Sequence, residues 1–533
     1  MRVNAPMSSS SSFNAADELM RPAAEHGLDD RAAMITDGRT ITYGALAAMI
    51  NRAGNAMASA GIARGERVMM LLPDTPELVA SYLGAIKIGA VAIAFNTRSS
   101  PAELAFALED SAAKLLIIDH TLIETYRAAA SARLAIKPRV FVVGGSCDGH
   151  EDYDSLVGSA SVDLRAESMS PSDMACWIYT SGTTGSPKAA VHLHRDVAAA
   201  GPYLARCLGV RDGDRMFSTS KLFFAYALGN CLFGALRMCC TVVLHSPWPE
   251  AGAIADVIES TRPDFVFSVP TMLRNLLASG RADESGFRGA RAFVSAGERM
   301  PATLAARWRD VSGVPIIEGM GTSETIYMIF SNSVGGYRDG SAGRVAPDAE
   351  VRLVDERGDT ITEPGMPGAL WVRMPSVCAG YWNREELSRR QFSGSWFRTG
   401  DLFAFDPDGF YFHHGRSDEM LKIAGQWVSP AEIEECVMTI TGIADAAVVG
   451  VGDADGLTRP TLFVVARDPG SDRGEMIDRI RHALDRDLAA HKRPRDIRFV
   501  ENLLRTATGK LKRYLIAESI ATPAPDLRDS GEK

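Results

Sequence analysis

The chain has no CxxC pair, no apolar run of the ~18 residues a membrane helix needs, and no excess of positive charge. Its eight cysteines are scattered, mostly within apolar runs, the pattern of buried reduced thiols and not of a disulfide framework. The first twelve residues, which end in a run of serines, lack the apolar core of a secretory signal. A formal charge of −9, from 57 basic and 66 acidic residues, argues against a nucleic-acid partner. What remains is an ordinary globular composition, 46% hydrophobic and 23% charged, spread over 533 residues. Single cores stop growing near ~250–300 residues, so at least two domains are expected, in a cytoplasmic protein with no membrane contact. The oligomeric state stays open, with a homodimer among the options.

Hydrophobic patterning orders the chain. After a serine-rich start, residues 32–36 and 40–43 flank an Asp37-Gly38 turn and predict a β-hairpin, followed by helical spacing over 43–57. Buried strands at 68–72, 90–95, 114–118, 140–143, 241–244 and 265–269, alternating with helical stretches such as 75–87, predict parallel sheets with covering helices. From about Gly340 short strands and turns take over, at 350–354, 368–373 and 409–412. Beyond Asp418 the pattern is a compact α+β unit: strand 420–423, helix 430–438, strands 446–451 and 461–466, helix 473–489 and strand 497–500.

One stretch organises the rest. Tyr179-Thr-Ser-Gly-Thr-Thr-Gly-Ser-Pro-Lys188 lies between the apolar runs Met174–Tyr179 and Ala189–Val191, which reads as strand, polar loop, strand. Hydroxyls and glycines from Ser181 to Gly185 can bend tightly and aim N–H and O–H groups at one anion, a polyphosphate. The GxxxxGK[ST] phosphate loop is a different design, because its lysine opens a helix; here Pro187 precedes Lys188 and a β-prone run follows.

This segment resembles the signature loop of the acyl- and aryl-adenylate-forming superfamily, and the resemblance runs over almost the whole chain. It implies an α/β fold: a large N-terminal domain of parallel sheets with a small β-rich subdomain (14–417), then a mobile α+β C-terminal lid (418–522) hinged at Asp418. Residues 1–13 would be a disordered lead and 523–533 a flexible tail. The activity implied is conversion of a carboxylate to its adenylate with ATP and Mg2+, then transfer to a thiol. By resemblance Thr180, Ser181, Gly182, Thr183, Thr184 and Lys188 take the β- and γ-phosphates. Glu318-Gly-Met-Gly-Thr-Ser-Glu324 resembles the adenine and magnesium motif, which brings in Glu318, Gly319, Met320, Gly321, Thr322 and Ser323 and makes Glu324, with Thr184, the metal ligand. Ser295-Ala-Gly-Glu298 and Phe397-Arg-Thr-Gly-Asp401 are similar to the nucleoside segments, so Gly297, Glu298 and Asp401 face adenosine, with Arg416 as a second contact. Arg505-Thr-Ala-Thr-Gly-Lys510 resembles the lid loop whose lysine bridges the attacking carboxylate and the α-phosphate, making Lys510 the catalytic cation beside Thr184 and Glu324.

Lys221-Leu-Phe-Phe-Ala-Tyr-Ala-Leu-Gly-Asn230 is similar to an acyl-pocket segment of benzoate-CoA ligases. Phe224 and Tyr226 would wall an aromatic ring, and Ala225, Ala227, Ser295, Ala296, Gly297, Gly321, Ile326 and Tyr327 complete the expected pocket. Tyr327 stands where that branch tends to have histidine, and its phenol is expected to bond a ring substituent; Ala227 stands where glycine is usual. Benzoate, 2-aminobenzoate and hydroxybenzoates all remain as the acid. Coenzyme A is the expected thiol, with Gly425 lining its tunnel, and the alternative is a carrier-protein pantetheine. His192 and His194, two apart, would share a strand face and serve orientation or core packing; His413 and His414 fall on opposite faces and form no metal pair.

Overall fold

The computed structural model describes residues 13–131, 134, 137–180, 187–423, 426–452, 458–494, 496–504, 511, 513 and 516. Packing divides the chain into two units: one runs up to Val351 and takes in Trp371–Thr399, and the other holds Arg352–Leu370 and everything from Gly400. The strands expected after Gly340 are present, at Glu350–Val354, Gly368–Arg373, Trp396–Phe405 and Tyr411–Arg416. The division falls inside three of them.

In the first unit two sheets carry the architecture. A seven-stranded sheet places Arg67–Leu71 beside Val91–Ala94 and Leu115–Asp119, all parallel, with Met174–Thr180 next to Val91–Ala94 and Lys188–Leu193 antiparallel at the edge. A nine-stranded sheet runs parallel through Ala32–Thr36, Thr241–Val243, Arg215–Ser218, Phe265–Ser268, Ala292–Ser295 and Ile316–Gly321. The strands are apolar on both faces because both faces are covered. Alternate residues, such as Val68, Met70 and Ala92 from one sheet and Met216, Val242 and Val294 from the other, enter one large core with helices Tyr43–Ser59 and Pro76–Lys87. The opposite faces are closed by separate clusters under helices Pro101–Ser111 and Ile123–Ala130, and under Ala251–Thr261, Pro270–Ala278 and Ala302–Ser312. Helix, sheet, helix, sheet, helix is the layering.

Local signals place the ends of elements. Asp37 (φ 45°) and Gly38 (φ 74°) both turn left-handed, as a two-residue hairpin loop requires. Ser100 and Glu103 close a reciprocal capping box on Pro101–Ser111, with proline at the first turn. Phe13, the first described residue, pairs with Met169.

The second unit contains an antiparallel pair, Ile443–Gly452 with Thr458–Ala466, extended in parallel by Asp496–Phe499. Helices Pro430–Met438 and Arg473–Asp487 pack on it through Ile433, Val437, Met476, Ile480 and Leu484. The expected strands and helices are all present, and the structure adds strand Gln426–Val428, which pairs with Leu421–Ile423 in a separate two-stranded sheet. Asp418 lies within this unit.

Candidate functional site

The strands Met174–Thr180 and Lys188–Leu193 pair in register from Cys176 opposite His192 to Thr180 opposite Lys188. The signature stretch is therefore flanked by two paired strands, and Lys188 faces Thr180 at their end. Ser181, Gly182, Thr183 and Thr184 lie outside the described residues, as do Gly425 and Lys510.

Lys188 does not reach into solvent. Its ammonium lies 3.4 Å from Glu324 Oε1 and 3.9 Å from the ring centroid of Tyr381, and the two charged side chains are only 16% and 10% exposed. Tyr381 donates its hydroxyl proton to the same Oε1 at 2.6 Å. Burial alone would push the Glu324 carboxyl up; the Lys188 charge and the Tyr381 hydrogen bond outweigh it and hold the group below its ordinary value. Glu324 is thus a buried anion, as a metal carboxylate must be.

The turn that carries Glu324 is strained and heavily supported. Ile326 has φ 56°, a left-handed conformation that a β-branched residue rarely adopts, and a hydrogen bond from Tyr327 N to Thr325 O closes the backbone around it. Gly229 makes room: a Cβ there would meet the Ile326 carbonyl at 2.8 Å. Gly321 is needed likewise, since its Cβ would sit 2.8 Å from Tyr327 O. Cys378 N donates to Glu324 O, Ser376 Oγ donates to Thr325 O at 2.6 Å, and His192 Nε2 donates to Ser323 O at 2.8 Å. Strain held this way marks a functional turn.

Two expectations about histidine and tyrosine are corrected. His192 lies in the strand, but His194 opens helix His194–Ala198, because Asp196 caps the N–H of Leu193 and ends the strand; its Nδ1 accepts from Ala15 N. The two rings do not share a face. Tyr327 spends its hydroxyl proton on the Val197 carbonyl at 2.7 Å and is not a donor to a ring substituent.

Most of the residues expected around the acid lie in the central core of the first unit. Ala225, Ala227, Ala296, Ile326 and Tyr327 belong to one apolar cluster, with Phe224 and Tyr226 packed against it. Tyr226 donates to Val294 O at 2.8 Å, which fixes its ring, and Leu228–Gly234 continues the segment as a π-helix. Gly297 follows with φ 88°. Ser295 is the exception: along its strand Ala292 and Val294 face this cluster, whereas Phe293 faces the outer one, so alternation turns Ser295 outward. Glu318 accepts from Met300 N at 3.2 Å, and Glu298 accepts from Thr271 Oγ1 at 3.3 Å. Thr322 N donates to Thr325 Oγ1, and Gly319 and Met320 continue the strand Ile316–Gly321.

In the second unit Asp401 pairs across the hairpin with Arg416. Its Oδ1 lies 3.2 Å from His413 Nε2 and its Oδ2 lies 3.6 Å from Arg416, whose Nε reaches Asp418 at 3.1 Å. Asp401 is 7% exposed, with the Arg416 guanidinium on one side and the His413 imidazole on the other. Gly400, at φ 84°, leaves no space for a side chain, since a Cβ would meet Arg416 at 2.9 Å.

Sequence reasoning missed Tyr381 and the place of His413 beside Asp401, whereas the orienting role expected of His192 agrees with its bond to Ser323 O. The first has a signal, a Gly380-Tyr381 step after a β-rich run, but nothing in the sequence ties it to Glu324. Among the described residues no cluster of three or more His, Cys, Asp or Glu side chains could cage a metal. One buried carboxylate fits magnesium, which takes few protein ligands and completes its shell from phosphates and water.

Residues 20–382 match the family described as AMP-binding enzyme, and residues 432–510 match the AMP-binding enzyme C-terminal domain. The chain is 46% identical over 506 residues to the 3-hydroxybenzoate–CoA ligase of Aromatoleum sp. (strain CIB), which covers 95% of this chain and 97% of that protein. It is 43% identical over 512 residues to the 3-hydroxybenzoate–CoA/4-hydroxybenzoate–CoA ligase of Thauera aromatica, covering 96% and 98%. Its fold is similar to the crystal structure of the anthranilate CoA ligase AuaEII in complex with anthranoyl-AMP, with TM-score 0.87, 32% identity and coverage of 96% and 98%. A benzoate CoA ligase from Burkholderia xenovorans LB400 superposes with TM-score 0.85, 32% identity and coverage of 95% and 100%. With residues 20–382 and 432–510 matched and relatives similar over nearly the whole length, the chain belongs to the AMP-binding enzyme family.

Proposed function

We propose that this chain is an ATP-dependent aryl-CoA ligase acting on a hydroxybenzoate, 3-hydroxybenzoate first, with AMP and pyrophosphate as products. The observation that carries this reading is the buried Lys188–Glu324 pair at the foot of the signature loop, two residues from Ile326 of the aromatic wall. The names of the two relatives quoted above favour the hydroxy acid over benzoate and 2-aminobenzoate.

In the first half-reaction a carboxylate oxygen of the acid attacks the α-phosphorus and pyrophosphate leaves. Lys188 and the loop residues Thr180 to Thr184 hold the β- and γ-phosphates, Asp401 takes the ribose hydroxyls, and Lys510 stabilises the charge that builds up between carboxylate and phosphate. Glu324 and Thr184 would hold Mg2+, which supplies charge neutralisation on the phosphates when bound. Phe224, Tyr226 and Ala296 clamp the ring and exclude water. In the second half-reaction the sulfur of coenzyme A, having lost its proton, attacks the acyl carbon and AMP leaves. The lid turns at Asp418 between the two steps, bringing Gly425 to the pantetheine path. Eight cysteines without a disulfide suit a cytoplasmic setting, and among the described residues no helix is long and apolar enough to cross a membrane.

A panel of benzoates assayed for AMP release with coenzyme A or a carrier protein as acceptor tests the reading. We expect 3-hydroxybenzoate to exceed benzoate and 2-aminobenzoate in kcat/KM, the order that the names of the two relatives favour. Absence of coenzyme A-dependent AMP release with every aromatic acid would overturn the assignment. Lys510→Ala should lower adenylation about 10²- to 10³-fold yet still convert a supplied aryl adenylate to thioester.

A further inference from the structure

Tyr381 lies in none of the motifs from which the activity was read, yet it touches both ends of the charged pair. Residues 378–382 run beside the strand Lys188–Leu193. Val191 N donates to Gly380 O, Ala379 N to Val191 O and Trp382 N to Ala189 O, and Tyr381 forms a bridge with Ala190. The same segment reaches the Glu324 turn through Cys378 N. Tyr381 therefore projects from a backbone pinned to the lysine strand on one side and to the glutamate turn on the other. Its ring is 6% exposed and packs edge-on against Phe392 at 5.6 Å, with Gln391 2.5 Å from the hydroxyl, so its rotamer is locked.

The detail that matters is which oxygen is used. Lys188 and Tyr381 both bind Glu324 Oε1. The ammonium sits over the Tyr381 ring while the hydroxyl of that ring fixes the carboxylate, so one side chain sets the position of two charges of opposite sign. Because a carboxylate is rigid and planar, fixing Oε1 also sets where its second oxygen points.

Resting on the reading that Glu324 serves the metal and Lys188 the phosphates, we propose that Tyr381 is a positioning residue: its hydroxyl anchors Glu324 Oε1 so that Oε2 is presented to Mg2+, and its ring seats Lys188 toward the phosphates. The two parts act separately. The hydroxyl governs metal affinity, and the ring governs nucleotide affinity without metal.

The test uses Mn2+ as the probe, followed by its electron spin resonance in the presence of a non-hydrolysable ATP analogue, together with calorimetric binding of the same analogue in EDTA. Tyr381→Phe should weaken Mn2+ about tenfold, the usual cost of losing a residue that orients a metal ligand, with metal-free nucleotide binding unchanged. Tyr381→Leu should weaken both. Thermal unfolding confirms that each variant is folded, and if the leucine variant does not fold the phenylalanine variant decides alone. Wild-type Mn2+ affinity in Tyr381→Phe, or equal weakening of Mn2+ and metal-free nucleotide in that variant, overturns the proposal. Glu324→Gln separates the two levels: it should weaken Mn2+ binding at least as much as Tyr381→Phe does, and if it binds Mn2+ like the wild type, the metal reading of Glu324 fails first and takes the role of Tyr381 with it.

Discussion

Glu324 and Asp74 are both carboxylates buried in the first unit, and each faces a lysine, but the two pairs behave in opposite ways. Glu324 lies 3.4 Å from Lys188 and accepts the Tyr381 proton, and it is held below the ordinary carboxylate range. Asp74 lies 3.8 Å from Lys221 and accepts from Leu222 N at 3.1 Å, yet burial dominates and pushes it up to about 6. The difference is in what the lysine does. Lys221 gives its protons to the carbonyls of His245 and Ser246, so its charge is shared with neutral acceptors, and burial lowers its own pKa. Lys188 faces an aromatic ring and one anion. The pair proposed to serve phosphate and metal keeps its charge, whereas a pair that ties two neighbouring segments of the core can do without full ionisation.

The largest effect that would sharpen this contrast is on catalysis. Glu324→Gln should lower the adenylation rate about 10²- to 10³-fold, measured by exchange of labelled pyrophosphate into ATP. Lys188→Met should lose activity to a similar degree and also destabilise the fold by about 3 kcal/mol, because it strands a buried anion; urea unfolding reads the difference. Combining Lys188→Met with Glu324→Gln should restore part of that stability, giving a non-additive cycle, and strict additivity would break the idea that they act as a pair.

Asp74→Asn is expected to be mild. It keeps an oxygen for Leu222 N and removes a charge that burial already disfavours, so stability at neutral pH should change by about 1 kcal/mol or less. A loss as large as that of Lys188→Met would erase the distinction drawn above.

The pH dependence separates the two in sign. Asp74, raised to about 6 in the folded protein, binds its proton more tightly than in the unfolded chain, so its contribution to stability falls as pH rises from the ordinary carboxylate value to about 6. Glu324 is lowered, so the stability it adds is present above its unfolded pKa and is lost as pH falls through its folded value. Unfolding free energies between pH 3 and 7 should therefore lose the falling limb in Asp74→Asn and part of the acid-side loss in Glu324→Gln.

Much of this was legible before any coordinates. Strand, loop, strand around Lys188, the hairpin at Asp37-Gly38 and the α+β pattern after Asp418 rest on spacing and turn chemistry, which act over a few residues. The failures are of another kind. His194 leaves its strand because the Asp196 carboxylate ends that strand three residues after Leu193, a competition that alternation cannot foresee. The Tyr327 hydroxyl is taken by a carbonyl 130 residues away, and Tyr381 meets Glu324 across 57 residues.

The amino-acid order by itself determined the strands and helices, the strands on either side of the signature stretch and the identity of the charged groups, since each depends on local periodicity or on a contiguous motif. Tertiary structure alone decided which of those groups lie dry and paired, which oxygen of Glu324 is engaged, and which hydroxyls are already spent. Those outcomes depend on burial and on partners far apart in the chain, and no window of sequence contains both members of the pair.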